Sequence, residues 1–410
     1  MTRSTKQASA AGERRETKPP QAAAARFAPG ARVASATPAA VAGPAHVEQP
    51  MAYDAILLSG FGGPEGPEDV MPFLRNVTRG RGIPDERLED VAHHYHAFGG
   101  VSPINEQNRE LRSALESALQ TAGIRIPVYW GNRNWAPYLD DVLAQAAADG
   151  VRRMLAIPTS AYSSYSSCRQ YREDWADALE SAELQEVMQI DKVRQFFSHP
   201  GFVQPFVDGL RAAIQAAEAE GHERSRMEVL FSTHSIPTAD ARLSGAGLFD
   251  GVEGGAYAAQ HLAVAERVMA EAAPGVAWQL VYQSRSGSPS TPWLEPDIND
   301  AIEALEHRSA VLVVPIGFVS DHLEVLWDLD HEARETAERV GLQMHRVPTP
   351  GTDPAFVAAL VDLVQERVVG RPVGRRRNTT GIGPWFDVCR PGCCAKGGAS
   401  PRPAIAGLVP

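Results

Sequence analysis

The sequence predicts an α/β protein with two lobes, each a parallel sheet covered by helices on both faces. Three observations carry that expectation. Short, nearly continuous apolar runs alternate with amphipathic stretches from residue 54 onward. Those runs lack the polar alternation of a sheet with one wetted face, which is how strands buried on both sides read. The chain is also long enough, because 410 residues at 44% hydrophobic and 22% charged suffice for two domains with two cores.

Residues 1–50 are rich in Ala, Pro, Arg, Gln and Ser without a helical or strand period, so a disordered N-terminal extension is expected there. Met51 opens the ordered part and is a candidate for the biological start. Strands are expected at 54–60 (DAILLSG), 127–132, 153–161, 227–235 (MEVLFSTHS), 277–285, 309–320 and 343–349. Between them lie helical stretches such as EQNRELRSALESALQTAG and FVQPFVDGLRAAIQAAEAEG. Several end on glycine, which accepts the left-handed conformation that closes a helix. The division falls near SHPGF (198–202), giving lobes over 51–198 and 199–345. A helical return segment (346–382) and a cysteine-rich tail (383–410) complete the chain.

Charge and hydropathy exclude several classes. A formal net charge of −11 gives nucleic-acid binding no electrostatic support. The longest apolar run, Ala310 to Val319, is interrupted by Pro315 and is far shorter than the roughly 20 residues a bilayer requires. Stable membrane insertion is not expected. The N-terminus lacks the apolar h-region of a secretory signal, so a cytoplasmic location is expected.

The residues that could carry chemistry gather where strands end, which is where open parallel sheets bind ligands. His234 stands where MEVLFST gives way to a turn closed by Pro237; a neutral imidazole there can accept a proton or ligate a metal. After VLVVPIGFVS comes a helical segment with Glu324, Asp328 and Glu332 at steps of four, stacked on one face. Like charges at that spacing destabilise a helix modestly, and amid Leu323, Val325, Leu326, Trp327 and Leu329 they call for a cation or protons.

The first glycine loop, GFGGPEGPEDV, is neither GxGxxG nor followed by GK[ST], so it reads as backbone approaching a large flat ligand closely. Tyr95, Phe98 and Ser102, and further on Tyr162 and Tyr165, interleave aromatics with hydroxyls, which suits a planar, partly polar molecule. Cys168, Cys389, Cys393 and Cys394 are the four cysteines, the number required by a [2Fe–2S] cluster or a structural zinc. The adjacent pair Cys393 and Cys394 does not match the usual C-x2-C zinc spacing.

Six segments in order resemble the ferrochelatase family: LLSGFGGPEGPEDV, YHAFGGVSPIN, YWGNRNWAPYLDD, FSTHSIP, YQSRSGSPSTPWLEPD and VSDHLEVLWDLDHE. The resemblance spans Met51 to about Gly370. It implies two similar Rossmann-like lobes with parallel four-stranded sheets, the class II chelatase-like arrangement, and a porphyrin cleft between them. It implies insertion of Fe2+ into the ring with release of two protons. His234 and Glu324 would meet the iron and accept pyrrole protons, while Asp328 and Glu332 continue an acidic ridge able to hold a secondary cation. Porphyrin contacts would fall on Phe61 in the glycine loop, Tyr95, Ser102, Tyr165 and Trp293. Phe61 stands where some relatives offer Tyr or Met, so no iron ligand is expected from that side.

The cysteines resemble those of cluster-containing members of actinobacterial type, which implies a [2Fe–2S] cluster on Cys168, Cys389, Cys393 and Cys394. Members of that type act on coproporphyrin III and form coproheme in heme biosynthesis. The acidity of this chain, and the lack of a hydrophobic lip near FGGVSPINE, agree with that substrate. Protoporphyrin IX is the alternative, and a non-catalytic tetrapyrrole or iron carrier is a further one. The expected partners are therefore the porphyrin and Fe2+ as substrates, acting on a monomer.

Overall fold

The computed structural model describes residues 46–80, 82–249, 251–286, 290–400 and 402–407. Most of the expected N-terminal extension, residues 1–45, lies outside the described residues. Its last residues are seated on the C-terminal segment: the Val47 amide donates to Asp387 at 2.8 Å and Glu48 accepts from the Val373 amide at 2.6 Å.

Strands β1 (Ala55–Gly60), β2 (Val128–Asn132), β3 (Arg153–Pro158) and β4 (Gln189–Lys192) form one parallel sheet in the order β2-β1-β3-β4. Strands β5 (Met227–His234), β6 (Ala277–Gln283), β7 (Ala310–Val314) and β8 (Gln343–Arg346) repeat that order as β6-β5-β7-β8. Each parallel neighbour is reached by a helical crossover, so the two halves are the expected pair of Rossmann-like lobes. β4 escaped sequence reading because Gln189, Ile190, Asp191 and Lys192 offer one apolar residue at a sheet edge. The strands expected at 153–161, 277–285 and 309–320 stop at 158, 283 and 314. Their remainders are the loops that carry the site.

The interior departs from two separate cores. One apolar cluster runs from Ile56 and Leu58 on β1 through Phe196, Phe197, Phe202 and Phe206 to Val229 and Phe231 on β5. Phe202 meets Phe206 at 5.4 Å and Phe196 at 5.6 Å, edge to face, the geometry that aromatic quadrupoles favour. The helix Pro354–Val368 closes this core by packing on Pro200–Ala219 from one half and Ile104–Thr121 from the other. Arg194, just past β4, pairs with Glu366 of that helix at 2.8 Å with both side chains fully enclosed. The outer faces of the sheets carry satellite clusters. No helix among the described residues is long and apolar enough to cross a membrane.

The tail, which its composition left without an obvious anchor, is packed down. Trp385, Phe386, Cys389, Cys393 and Cys394 are all buried, and Trp385 stands against both Phe197 and Phe249.

Candidate active site

β5 is buried through Thr233, and His234 is its first residue to emerge. The ring Nδ1 lies 2.5 Å from the Ser235 carbonyl; a carbonyl only accepts, so Nδ1 carries the proton and donates. This fixes the tautomer and turns Nε2 toward Glu324, whose Oε2 is 3.7 Å away. That gap is too long for a hydrogen bond yet well within electrostatic reach. The two side chains are 36% and 45% exposed, so both are open to solvent.

The pair polarises itself. Burial disfavours the charged imidazole, but the facing Glu324, with the Ser235 carbonyl and Asp328 behind it, outweighs burial and raises His234 above its usual value. Burial likewise opposes the Glu324 carboxylate, but His234 and His322 outweigh it and hold Glu324 below the usual carboxylate range. One turn on, burial and the Glu324 charge push Asp328 up to about 7. A carboxyl that exchanges its proton near neutrality therefore stands beside one that stays ionised.

The acidic segment is one continuous helix over residues 323–339, but only its ends are α-helical; Leu326–Ala333 is π-helical. Four residues of α-helix overshoot a full turn by about 40°, whereas the wider π turn falls short. Asp328 and Glu332 both lie in the π segment, and Glu324 in the short α-helical turn before it. Sequence reading expected an ordinary helix, because residue types do not encode an i→i+5 ladder. Such π segments recur at functional sites, and the other one here, Tyr165–Arg169, carries Cys168.

Neighbours that sequence reading missed hold the carboxylates. Gln283, the last residue of β6, donates to Asp328 at 3.2 Å, and the Ser284 hydroxyl donates to the same oxygen. Ser284 holds φ at 61°, in a region uncommon outside glycine, and strain of this kind gathers at functional sites. Trp327 donates to Glu332 at 2.8 Å, while its ring stacks flat on His94 at 3.9 Å and leans on His331 at 4.4 Å. The histidine-dense HHYH (93–96) was the available signal.

The first lobe supplies the opposite wall. Tyr95 is half-buried, and burial first, then the charges of Glu324 and Asp328, raise its phenol, which places it near the carboxylates. Ser102 Oγ accepts from the Leu323 amide at 3.3 Å, and Gln107 accepts from the Asp321 amide at 2.8 Å. Both bonds hold the start of the acidic helix. Trp293 lies in an antiparallel bridge with Pro237, just past His234, and its buried indole N–H has no partner among the described residues, leaving a donor for a bound molecule. Phe61 packs on Phe73 at 6.4 Å, and Phe73 in turn on Tyr95 at 5.9 Å.

Tyr165 is engaged elsewhere: its hydroxyl donates to Glu173 at 3.0 Å and Lys396 of the tail covers its ring. The first glycine loop also differs from expectation. Gly62 holds φ at 84°, and a Cβ there would stand 2.9 Å from Asn132 Cβ; one on Gly63 would stand 2.7 Å from Ser102 Cβ. The backbone approaches neighbouring loops at these positions, so protein contacts account for the glycines.

The chain matches the ferrochelatase family over residues 53–368. The chain belongs to the ferrochelatase family. Its similar relatives include the coproporphyrin III ferrochelatase of Leifsonia xyli subsp. xyli, 60% identical over 386 residues and covering 92% of this chain and 99% of that one. The coproporphyrin III ferrochelatase of Tropheryma whipplei is 55% identical, covering 87% of this chain and 93% of its own. The coproporphyrin III ferrochelatase of Streptomyces griseus is 53% identical, covering 88% and 98%. As a ferrochelatase, the protein is a porphyrin metal chelatase, a lyase with Fe2+ as substrate.

The ferrochelatase match ends before the cysteine tail. There Cys168 Sγ lies 4.0 Å from Cys389 Sγ, and Cys393 Sγ lies 3.7 Å from Cys394 Sγ. All four are buried and free, and the Gly245 amide donates to Cys394 Sγ at 3.4 Å. Hydrogen bonds from neighbouring thiols hold Cys389 and Cys394 well below the usual thiol range, while Cys168 and Cys393, as partners in those bonds, are raised. The sulfurs touch as packed thiols do, and no group of three potential ligands among the described residues is already spaced for a metal ion.

Proposed function

We propose that this ferrochelatase inserts Fe2+ into coproporphyrin III, forming coproheme and releasing two protons. The observation that carries the reading is the polarised pair, His234 and Glu324 facing across 3.7 Å at the mouth of a carboxylate row. The names of the similar relatives support the choice of porphyrin.

In this reading the macrocycle lies over the pair, between the Tyr95 wall and the Trp293 turn. Iron must shed water and reach a lone pair that a flat ring hides, so the cleft uses binding energy to bend the ring. Glu324, kept anionic by His234 and His322, meets the incoming cation. Nε2 of His234, whose basicity is raised, accepts a departing pyrrole proton. Asp328, poised near neutrality, passes protons outward toward Glu332 and solvent. One dication enters and two protons leave, so charge balances with no redox step.

Anaerobic Fe2+ insertion assays with coproporphyrin III and protoporphyrin IX test the proposal. The expected result is a kcat/KM at least tenfold higher for coproporphyrin III. Preference for protoporphyrin IX overturns the substrate assignment, and absence of turnover with either ring leaves the carrier reading.

Cys168, Cys389, Cys393 and Cys394 fit a [2Fe–2S] cluster by their chemistry: four buried free sulfurs with one another as their main partners. When bound, a cluster supplies one-electron redox chemistry, which insertion of Fe2+ does not require. The chain's own part is to exclude water and to tie the tail to both lobes, through Cys168 on one and the Leu243 carbonyl, which accepts from the Cys394 amide at 3.2 Å, on the other. Iron and acid-labile sulfide in protein purified without oxygen, and their loss in Cys168→Ser, are the expected outcome. Zinc without sulfide contradicts the assignment.

A further inference from the structure

Beside the cysteine nest stand two buried cations that the insertion chemistry does not use. Lys192 and Arg172 are 1% and 3% exposed, and neither has a carboxylate in ion-pair contact among the described residues. Lys192 Nζ donates to neutral acceptors, the Val193 carbonyl at 3.2 Å and Gln195 Oε1 at 3.0 Å. Arg172 Nε donates to the Ile405 carbonyl at 2.7 Å, and one of its terminal nitrogens has no partner. Buried charges are costly unless paired. Their neighbours obey that rule: Arg169 pairs with Glu173 and Arg376 with Asp387.

Both cations lie near Cys389. Arg172 follows Cys168 by four residues, one helical turn. A Cβ on Gly407 would stand 3.0 Å from Arg172 Cζ and 3.1 Å from the Cys389 carbonyl oxygen, and Gly407 bridges to Cys389 in parallel, so one residue, Gly407, has both the guanidinium and Cys389 beside it. Lys192 and Val388 line one cavity of about 200 Å³. The acids of that cavity pair with other cations, Asp191 with Arg153 and with Arg367, which lines the same cavity, and Asp387 with Arg376. The positive field of Lys192 and Arg172 reaches the Cys389 sulfur.

We propose that Lys192 and Arg172 are built-in counter-charges for the [2Fe–2S] cluster, matching its charge and raising its reduction potential. This rests on the cluster assignment above. Two ferric ions, two sulfides and four thiolates together carry two net negative charges, which two cations neutralise. One-electron reduction adds a third negative charge, which nearby cations favour in a poorly solvated site.

The test is a redox titration of the full-length protein, purified without oxygen, as wild type, Lys192→Met, Lys192→Arg and Arg172→Gln, with iron and sulfide assayed in each. At fixed solution potential, Lys192→Met and Arg172→Gln are each expected to shift the reduced-to-oxidised ratio about tenfold toward oxidised, about 59 mV lower for a one-electron couple. Lys192→Arg keeps the charge and stays near the wild-type value. Loss of the cluster from Lys192→Met alone, with retention in Lys192→Arg, also supports the proposal. An unchanged potential in Lys192→Met and Arg172→Gln with full iron and sulfide overturns it, as does loss of the cluster from both Lys192 variants, which would mean that shape rather than charge matters. Failure of the cluster assignment is seen separately, as wild-type protein with zinc and no sulfide. Counter-charge then predicts faster zinc loss to a chelator from Lys192→Met than from Lys192→Arg, and equal loss overturns it.

Discussion

Asp328 sits between two other carboxylates and accepts from Gln283 and Ser284. Burial and the Glu324 charge raise it to about 7, so it is protonated below that value and ionised above. If its carboxylate takes up departing protons, insertion at saturating substrate rises as pH increases through about 7. Asp328→Asn removes the titrating group, and its profile should lose that limb while its rate at high pH falls roughly tenfold or more. A retained limb would assign the titration to another group. At this scale the sequence was informative where residue type sufficed: a histidine at a strand end and three acids at steps of four announced proton and cation chemistry. It was silent on His94 stacking on Trp327 and on Ser284 reaching Asp328, because those pairs become neighbours only when distant strand ends converge.

The acidic helix shows what an element adds to its residues. Its π segment, Leu326–Ala333, carries Asp328 and Glu332 and places Trp327 where its indole donates to Glu332. His331 lies in that segment with its side chain 42% exposed, so its deletion is tolerable sterically yet removes one residue from the wide turn. The spacing from Asp328 to Glu332 then falls from four residues to three, which carries Glu332 off the face that Asp328 occupies. We expect insertion to drop at least tenfold with the circular dichroism spectrum retained. Full activity would show that alignment of Glu332 is immaterial. Most strands could be placed from their apolar runs, but β4 could not, because Gln189–Lys192 has little apolar content. The passing of polar ends such as TSA (159–161) and SR (284–285) from strand to loop was likewise visible only in the fold.

The whole molecule is held by features that span the lobes. The phenylalanine-rich core is continuous between them, and the Arg194–Glu366 pair fastens the first lobe to the C-terminal helix. Breaking a buried pair leaves an uncompensated charge at a cost of about 3–5 kcal/mol. Arg194→Met should therefore lower unfolding free energy by that order in denaturant titration, and a change below about 1 kcal/mol would mean that Arg376, 4.0 Å from Glu366, takes over. Two similar lobes with parallel four-stranded sheets were implied by the ferrochelatase resemblance; their shared strand order was not. The shared core was not, because period and composition reveal that a face is apolar but not which lobe covers it.

The central claim is that His234 and Glu324 form the insertion centre. Parallel measurement of Fe2+ insertion and coproporphyrin III binding in Glu324→Gln tests it most directly, since the amide keeps the shape and removes the charge. The predicted result is insertion reduced at least a hundredfold with porphyrin affinity within a few-fold of wild type. Insertion near the wild-type rate, or binding lost together with insertion, would contradict it.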